Sequence, residues 1–147
     1  MTKSYRGVNE DIGDASLFNK VVEAAKTAFQ CAYAPYSQFH VGAAALTKTG
    51  KIFQGCNVEN ASYGLTNCAE RNCIGTMVGA GEREFSYIVI YTETEKLTPP
   101  CGACRQVIAE FFDASAPVIA VNHLGKQINW TVGELLPDAF TPKNLLD

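Results

Sequence analysis

Three cysteines and one glutamate have the residue types and the spacing of a metal site with acid–base chemistry. Cys68 stands two residues before Glu70, and Cys101 and Cys104 follow later with two residues between them. Three thiolates leave one position of a four-coordinate zinc ion open, and catalytic zinc sites keep such a position for water. A carboxylate beside that water can accept and return its protons. The four residues therefore predict zinc-dependent hydrolytic chemistry.

Two other uses of the cysteines stay open. A thioredoxin-like redox pair would use Cys101 and Cys104 but would give Cys68 no role. Cys73 could close a structural four-cysteine zinc site, but it lies five residues after Cys68, about 140° around an ideal helix. We expect the cysteines outside the zinc site to be small buried residues, namely Cys31, Cys56 and Cys73.

Two helix starts must bring the zinc ligands together. The sequence predicts helices over residues 68–79 and 101–113, so that Cys68 and Cys101 each stand at a helix start. The free backbone N–H groups and the positive dipole end at such a start favour a thiolate over a thiol. Cys101 and Cys104 are three residues apart and can share one helical face.

A further helix and five strands complete the predicted elements. Asp14 or Ser16 is expected to cap a helix whose apolar residues recur at helical spacing, and Pro35 to end it near residue 33. Strands are predicted at residues 41–47, 52–58, 86–92, 117–122 and 127–132, with a glycine turn at 48–51. This order of elements predicts a mixed sheet covered by helices.

Composition indicates one small domain that acts on small molecules. The chain has 147 residues, and 47% hydrophobic content suffices for a sizeable core. We divide it into a flexible N-terminal arm at residues 1–14 and a single domain at residues 15–147. A net charge of −3 and a pI near 5.4 argue against a surface that neutralises nucleic-acid phosphates.

The first residues of the chain and the length of its apolar runs predict the cellular location of the protein. The first residues, MTKSYRGVNEDIGDAS, lack the apolar core of a signal peptide. No apolar run approaches the roughly 20 residues that cross a bilayer. We therefore expect a reduced cytoplasmic protein with no membrane partner, rather than a secreted one with disulfides.

The ordered motifs resemble the cytidine deaminase family, whose zinc signature is a first ligand, one spacer, Glu, and then Pro-Cys-x-x-Cys. Similar blocks cover roughly residues 17 to 140: Ala34–Ser37, Phe39, Val41–Ala44, Gly55–Ala61, Cys68–Arg71, Pro100–Gln106 and Glu134–Pro137. A Cys-x-x-Cys pair alone would be weak evidence, whereas an ordered set is specific. The resemblance implies a three-layer α/β/α sandwich with a mixed five-stranded central sheet.

The resemblance assigns the proton transfers to Glu70. It implies that Glu70 takes a proton from water, protonates N3 of cytosine and passes a proton to the departing ammonia, while the backbone of Ala69 faces the base. A structural alternative is a helix capping box between Asn67 and Glu70, in which the glutamate bonds back to the cap. The position of Glu70 within the family signature favours the catalytic role.

Further residues are expected to bind the substrate. Asn57 and Glu59 point to the same side of an extended segment, and the resemblance implies that they hydrogen-bond the ribose while Phe39 packs on the base. A polar loop and a core aromatic are the alternatives. The resemblance also implies a homotetramer in which Phe140 reaches a neighbour's substrate, although Phe140 alone would suit C-terminal packing.

Two arginines are candidates to balance the charge of the site. Three thiolates and one Zn²⁺ leave a net negative charge, which weakens the acidification of water. Arg71 and Arg105 directly follow Glu70 and Cys104, and each guanidinium could donate hydrogen bonds to sulfur. The resemblance implies that role for Arg71. Solvated helix positions are the alternative for both.

These observations together predict an enzyme with one zinc ion per subunit. The resemblance implies that the reaction is the hydrolytic deamination of cytidine and deoxycytidine to the corresponding uridines and ammonia, in pyrimidine salvage. Deamination of another aminopyrimidine, such as a nucleoside antibiotic, is a second possibility, and the pair Asn57 and Glu59 argues for an ordinary nucleoside. Polynucleotide deamination is disfavoured by the short acidic chain. A noncatalytic zinc-stabilised interaction module is the alternative from a different class.

Overall fold

The computed structural model describes residues 12–146. Its elements are α1 (Ala15–Gln30), β1 (Gly42–Thr47), β2 (Ile52–Cys56), a 3-10 turn (Tyr63–Leu65), α2 (Ala69–Gly79), β3 (Phe85–Thr92), α3 (Gly102–Phe111), β4 (Pro117–Asn122), β5 (Gln127–Thr131), α4 (Val132–Leu135) and α5 (Lys143–Leu146). The five predicted strands and three predicted helices are all present. Within residues 12–146, no helix combines the length and the apolar character that crossing a membrane requires.

Strand β2 ends earlier than predicted, for an identifiable reason. Strand β2 ends at Cys56, because Val58 leaves the hairpin and forms isolated bridges with Tyr33 and Asn67. Asp14 caps α1, as predicted, by accepting a hydrogen bond from the backbone N–H of Ser16. Residues 1–11 of the predicted arm at residues 1–14 lie outside the described residues. In the rest of the predicted arm, Ile12 is buried. Ile12 and Asp14 therefore belong to the folded domain.

The sheet has the order β2-β1-β3-β4-β5, in which only β3 and β4 run parallel. This pattern confirms the mixed five-stranded sheet. A turn in which Gly50 takes a φ of 88° joins β1 to β2, as glycine permits without strain. The parallel pair ends in register at Thr92 and Asn122, so their carboxyl ends and the loops after them meet at one edge.

Helices cover both faces of the sheet and confirm the three layers. Along β1 the side chains alternate, with Ala43 and Ala45 in the cluster that packs on α2 and α3, and Ala44 and Leu46 in the cluster that packs on α1. This is the period of two that a strand buried on both faces requires. All six residues of β1 are buried.

Glycine allows α2 to approach the sheet closely. A Cβ atom on Gly55 would lie 2.4 Å from the backbone nitrogen of Cys73. Asn72 Nδ2 also donates a 2.8 Å hydrogen bond from α2 to the carbonyl oxygen of Cys56 on β2. The start of α2, which carries Cys68 and Glu70, is thereby held against strand β2.

Candidate metal and active site

Three sulfur atoms lie close together at the starts of α2 and α3. The Sγ atoms of Cys68, Cys101 and Cys104 all lie within 4.8 Å of one another, at 3.8 Å from Cys68 to Cys101 and 3.4 Å from Cys101 to Cys104. Sulfurs bound tetrahedrally to one zinc at about 2.3 Å stand about 3.8 Å apart. The sulfur positions and the all-thiolate donor set therefore fit a zinc ion that retains one open position.

Helix geometry explains why these sulfurs converge. Cys68 is the N-cap of α2 and Cys101 the N-cap of α3, and neither helix has a side-chain capping hydrogen bond. Cys104 follows one turn into α3 and is buried. Because the cap is Cys68, the alternative capping box between Asn67 and Glu70 is wrong.

Hydrogen bonds prepare one of the sulfurs as a thiolate. A hydrogen bond from the Cys104 thiol, assisted by Arg71, lowers the pKa of Cys68 to about 5. The same shared proton, together with burial, raises the pKa of Cys104. Arg71 Nη2 donates to Cys68 Sγ at 3.4 Å, and Arg71 Nε is buried without a hydrogen-bond partner among the described residues. Arg71 thus lies where a guanidinium offsets thiolate charge.

Glu70 is a buried carboxyl group beside the sulfurs. It is 4% exposed, and burial raises its pKa to about 7, with a smaller contribution from the negative charge of Cys68. A group with such a pKa can both accept and donate a proton near neutral pH. Its position on the first turn of α2 places it in the cavity described next.

A cavity of about 270 Å³ brings most of the predicted site residues together. Its lining contains Ser37, Phe39, Val41, Asn57, Glu59, Thr66, Cys68, Ala69, Glu70, Ile90, Thr98, Pro99 and Cys101. The lining thus contains two of the three clustered cysteines and Glu70, together with apolar side chains and a few polar groups. This composition is typical of small-molecule sites.

Asn57 and Glu59 also hold the loop that carries Phe39. Asn57 Nδ2 donates to the Phe39 carbonyl oxygen at 2.8 Å, and Asn57 Oδ1 accepts from the Val41 N–H at 2.9 Å. The Glu59 carboxylate accepts hydrogen bonds from the Ser37 hydroxyl and the Ser37 N–H, and the hydroxyl contact is the main cause that lowers the pKa of Glu59. These contacts agree with the alternative of a polar loop, and they leave the expected ligand role of Asn57 and Glu59 a prediction.

Arg105 does not donate to sulfur in the described part of the chain, contrary to the prediction. Its Nε donates to the Pro100 carbonyl oxygen at 2.8 Å and its Nη1 to the Leu135 carbonyl oxygen at 3.1 Å. The guanidinium thus donates to backbone carbonyl oxygens, because it lies between the loop before α3 and the end of α4. Arg105 instead fixes the position of Pro100, the residue before the ligand Cys101.

Phe140 is not among the residues that line the cavity. Its side chain is 59% exposed, and its carbonyl oxygen accepts a 2.8 Å hydrogen bond from Gln106 Nε2. The packing alternative, in which Phe140 fills a place in the C-terminal core, therefore does not describe this chain.

The remaining cysteines have different environments. Cys73 is fully buried, donates to the Phe53 carbonyl oxygen at 3.3 Å and does not join the sulfur cluster. Burial raises its pKa to about 12. Cys56 is half-buried, whereas Cys31 is exposed. The prediction that Cys31 is buried is therefore wrong, because the residue caps the end of α1 where the helix leaves the sheet.

Six cavity residues had no predicted role in the site: Ser37, Val41, Thr66, Ile90, Thr98 and Pro99. Ser37 lies within a motif block, so its neighbourhood was a usable signal. Thr98 and Pro99 belong to an irregular loop, whose path depends on tertiary contacts that periodicity does not reveal.

Comparisons with known proteins agree with this geometry. Residues 16–120 match the family model described as the cytidine and deoxycytidylate deaminase zinc-binding region. A cytidine deaminase of Sporosarcina psychrophila is 47% identical over 126 residues, which cover 86% of this chain and 93% of the relative. A cytidine deaminase of Halalkalibacterium halodurans is 46% identical over 127 residues, covering 86% and 96%.

A solved structure shares the fold as well as the sequence. The crystal structure of cytidine deaminase from Burkholderia pseudomallei superposes with a TM-score of 0.80 at 50% sequence identity. The match covers 83% of this chain and 98% of that one.

Proposed function

Because the chain belongs to the cytidine and deoxycytidylate deaminase family of zinc hydrolases, we propose that it converts cytidine and deoxycytidine to uridine and deoxyuridine with release of ammonia. Its place would be pyrimidine salvage. The observation that carries the proposal is a single cavity lined both by the buried Glu70 and by Cys68 and Cys101, two members of the three-cysteine cluster.

The ligands and the acid–base group have separate tasks. Cys68, Cys101 and Cys104 would hold one zinc ion per subunit, which supplies Lewis acidity that makes a water molecule nucleophilic at neutral pH. Glu70 would accept one proton from that water and donate it to N3 of the base. It would then accept the proton of the hydroxyl group added at C4 and donate it to the amine as the C4–N bond breaks. Its buried position and its pKa of about 7 support this exchange, because neither protonation state is strongly disfavoured.

The walls of the cavity support a neutral nucleoside as substrate. Among the described residues, the lining holds the carboxyl groups of Glu59 and Glu70 but no lysine, arginine or histidine. A nucleotide phosphate would therefore meet negative charge without a compensating cation. Phe39 supplies an apolar surface for the base, the backbone of Ala69 faces its polar edge, and Asn57 with Glu59 would bind the ribose hydroxyls. The same charges disfavour a nucleic-acid strand.

We place the working enzyme in the cytoplasm as a homotetramer. Support for assembly comes from large apolar side chains that one subunit leaves exposed, including Phe140, Tyr63, Leu145 and Leu146. Exposed apolar surface of this kind commonly marks interfaces. In a tetramer Phe140 would contact the substrate in a neighbouring cavity. The cytoplasmic location is supported by the free cysteine thiols, which a reducing compartment preserves.

A substrate panel tests the proposal. The zinc-loaded protein is given cytidine, deoxycytidine, deoxycytidine 5′-monophosphate and a short single-stranded oligodeoxycytidine, and ammonia release is measured for each. We expect turnover of both nucleosides and a value of kcat/KM for the monophosphate at least about 100-fold lower, equal to about 2.7 kcal/mol. Preference for the monophosphate would contradict the assignment, and no turnover of any substrate would favour the noncatalytic zinc module.

A further inference from the structure

The loop between β3 and α3 forms one wall of the cavity without any regular secondary structure. This cavity wall, residues 93–100, contributes Thr98 and Pro99 to the lining and leads directly into the ligand Cys101. Neither helix nor strand hydrogen bonds fix it. Other contacts must therefore set the position of Thr98 and Pro99 relative to a bound substrate.

Asn122 supplies such contacts from the neighbouring strand. It is the last residue of β4, and it pairs in register with Thr92 at the end of β3. Its Nδ2 atom donates to the carbonyl oxygens of Thr94 and Glu95, at 2.9 and 3.2 Å. These are the second and third residues of the cavity wall.

The other side of the Asn122 amide is anchored in the turn between β4 and β5. Asn122 Oδ1 accepts hydrogen bonds from the backbone N–H groups of Leu124 and Lys126, both at 3.0 Å. The side chain is 6% exposed. A buried amide whose donor and acceptor sides are both engaged has one permitted orientation, so it holds the cavity wall in one position.

Threonine hydroxyls carry the connection from this anchor to the cavity. Thr94 Oγ1 donates to the Lys96 carbonyl oxygen at 2.7 Å, and it lies 3.1 Å from Thr92 Oγ1 and 3.5 Å from Thr98 Oγ1. Thr98 lines the cavity. Displacement of the wall at Thr94 therefore moves a group that faces the substrate.

From these contacts, and given the proposed nucleoside site, we infer that Asn122 is a positioning residue that sets substrate affinity through the cavity wall. The effect should fall on binding rather than on the chemical step. Glu70 and Cys68 lie on α2, outside the wall, and Arg105 separately fixes the Pro100 carbonyl before Cys101. A shift of the cavity wall near Thr94 should therefore leave the three cysteine ligands in place.

Steady-state kinetics of the zinc-loaded Asn122→Asp protein test the inference. The variant keeps the acceptor side of the amide but turns an oxygen toward the carbonyl oxygens of Thr94 and Glu95. We expect the KM for cytidine to rise about tenfold, equal to about 1.4 kcal/mol, while kcat changes less than about threefold and zinc content is unchanged. Asn129→Asp on β5 is the matched control, since Asn129 Oδ1 contacts Gln127 and no residue of the wall.

A second variant keeps the test decisive if Asn122→Asp fails to fold. Thr94→Val removes the hydroxyl that joins the wall together but leaves the β4–β5 turn intact, and it should raise KM in the same direction. An unchanged KM in a folded variant, or a KM that rises equally in Asn129→Asp, would overturn the inference. Should the wild-type enzyme not act on cytidine, the proposed function fails first. Faster trypsin cleavage after Lys96, an exposed residue of the wall, in Asn122→Asp would then still support the positioning role, and an unchanged cleavage rate would refute it.

Discussion

Substituting Gly55 with alanine should separate the sheet from the helix that carries Glu70. The added Cβ would lie 2.4 Å from the Cys73 nitrogen, 2.8 Å from the Cys73 Cα and 2.9 Å from the Ala69 carbonyl oxygen. All three are backbone atoms, so no side-chain rotation relieves the overlap. Restoring an ordinary contact of 3.4 Å requires β2 and α2 to move apart by about 1 Å.

The expected cost follows from that separation. Overpacking of this kind costs about 1–3 kcal/mol. The movement also stretches the hydrogen bonds from Asn72 to Cys56 and from Cys73 to Phe53, each worth about 1 kcal/mol. A total of about 3 kcal/mol corresponds to a fall in Tm of roughly 6–12 °C for a chain of this size.

Thermal unfolding and zinc-loaded activity measure the two consequences. Gly79→Ala is the matched control, because Gly79 lies at the other end of α2 and its added Cβ would have no described atom within 4 Å apart from its chain neighbours and the nearby backbone of α2. We expect the control to match or slightly exceed wild-type stability. In Gly55→Ala, kcat should fall together with Tm, since Glu70 moves with α2. Equal Tm values for Gly55→Ala and Gly79→Ala would refute the close-approach argument.

Three further predictions concern charge and the substrate loop. Arg71→Gln should weaken zinc affinity about 10–100-fold, and more at pH 6 than at pH 8, because the pKa of Cys68 rises; equal affinities by chelator competition would contradict this. Ser37→Ala removes the hydroxyl that donates to Glu59, so we expect a higher cytidine KM at nearly constant kcat, and an unchanged KM would argue against the loop's role. Burial raises the pKa of Glu70 from 4.5 to about 7, so the protonated carboxyl group stabilises the folded state fully below pH 4.5. This stabilisation is lost as the pH rises through 7. Relative to Glu70→Gln, the metal-free wild type should therefore lose about 3 kcal/mol in urea unfolding between pH 4.5 and 8, at about 1.4 kcal/mol per pKa unit; parallel pH dependences would contradict the burial of the carboxyl group.

Much of the fold follows from short-range patterns in the sequence. The apolar runs at residues 86–92 and 117–122 predicted two buried strands, because a strand buried on both faces needs apolar residues throughout. Asp14 predicted the start of α1, because a side-chain acceptor satisfies the free N–H groups there. The spacing from Cys68 to Glu70 and from Cys101 to Cys104 predicted a candidate site at the starts of two helices.

The errors concern contacts whose partners are distant in sequence. Arg105 was assigned to sulfur because it adjoins a ligand, yet carbonyl oxygens at residues 100 and 135 take its donors. Cys31 was expected to be buried because cysteine usually is, but its exposure is decided by where α1 leaves the sheet. No sequence pattern pointed to Asn122, since its role depends on the ends of β3 and β4 lying side by side. Such pairings are set by tertiary packing, which local propensity does not encode.

The most direct test of the account follows ammonia and uridine together from cytidine. Three samples are compared: zinc-loaded wild type, zinc-loaded Glu70→Gln and metal-stripped wild type. We expect equal amounts of the two products from the wild type, no turnover without metal, and a loss of at least about 10²–10⁴-fold in Glu70→Gln with zinc retained. Near-normal turnover by zinc-loaded Glu70→Gln, or no product from folded zinc-loaded wild type, would contradict the account.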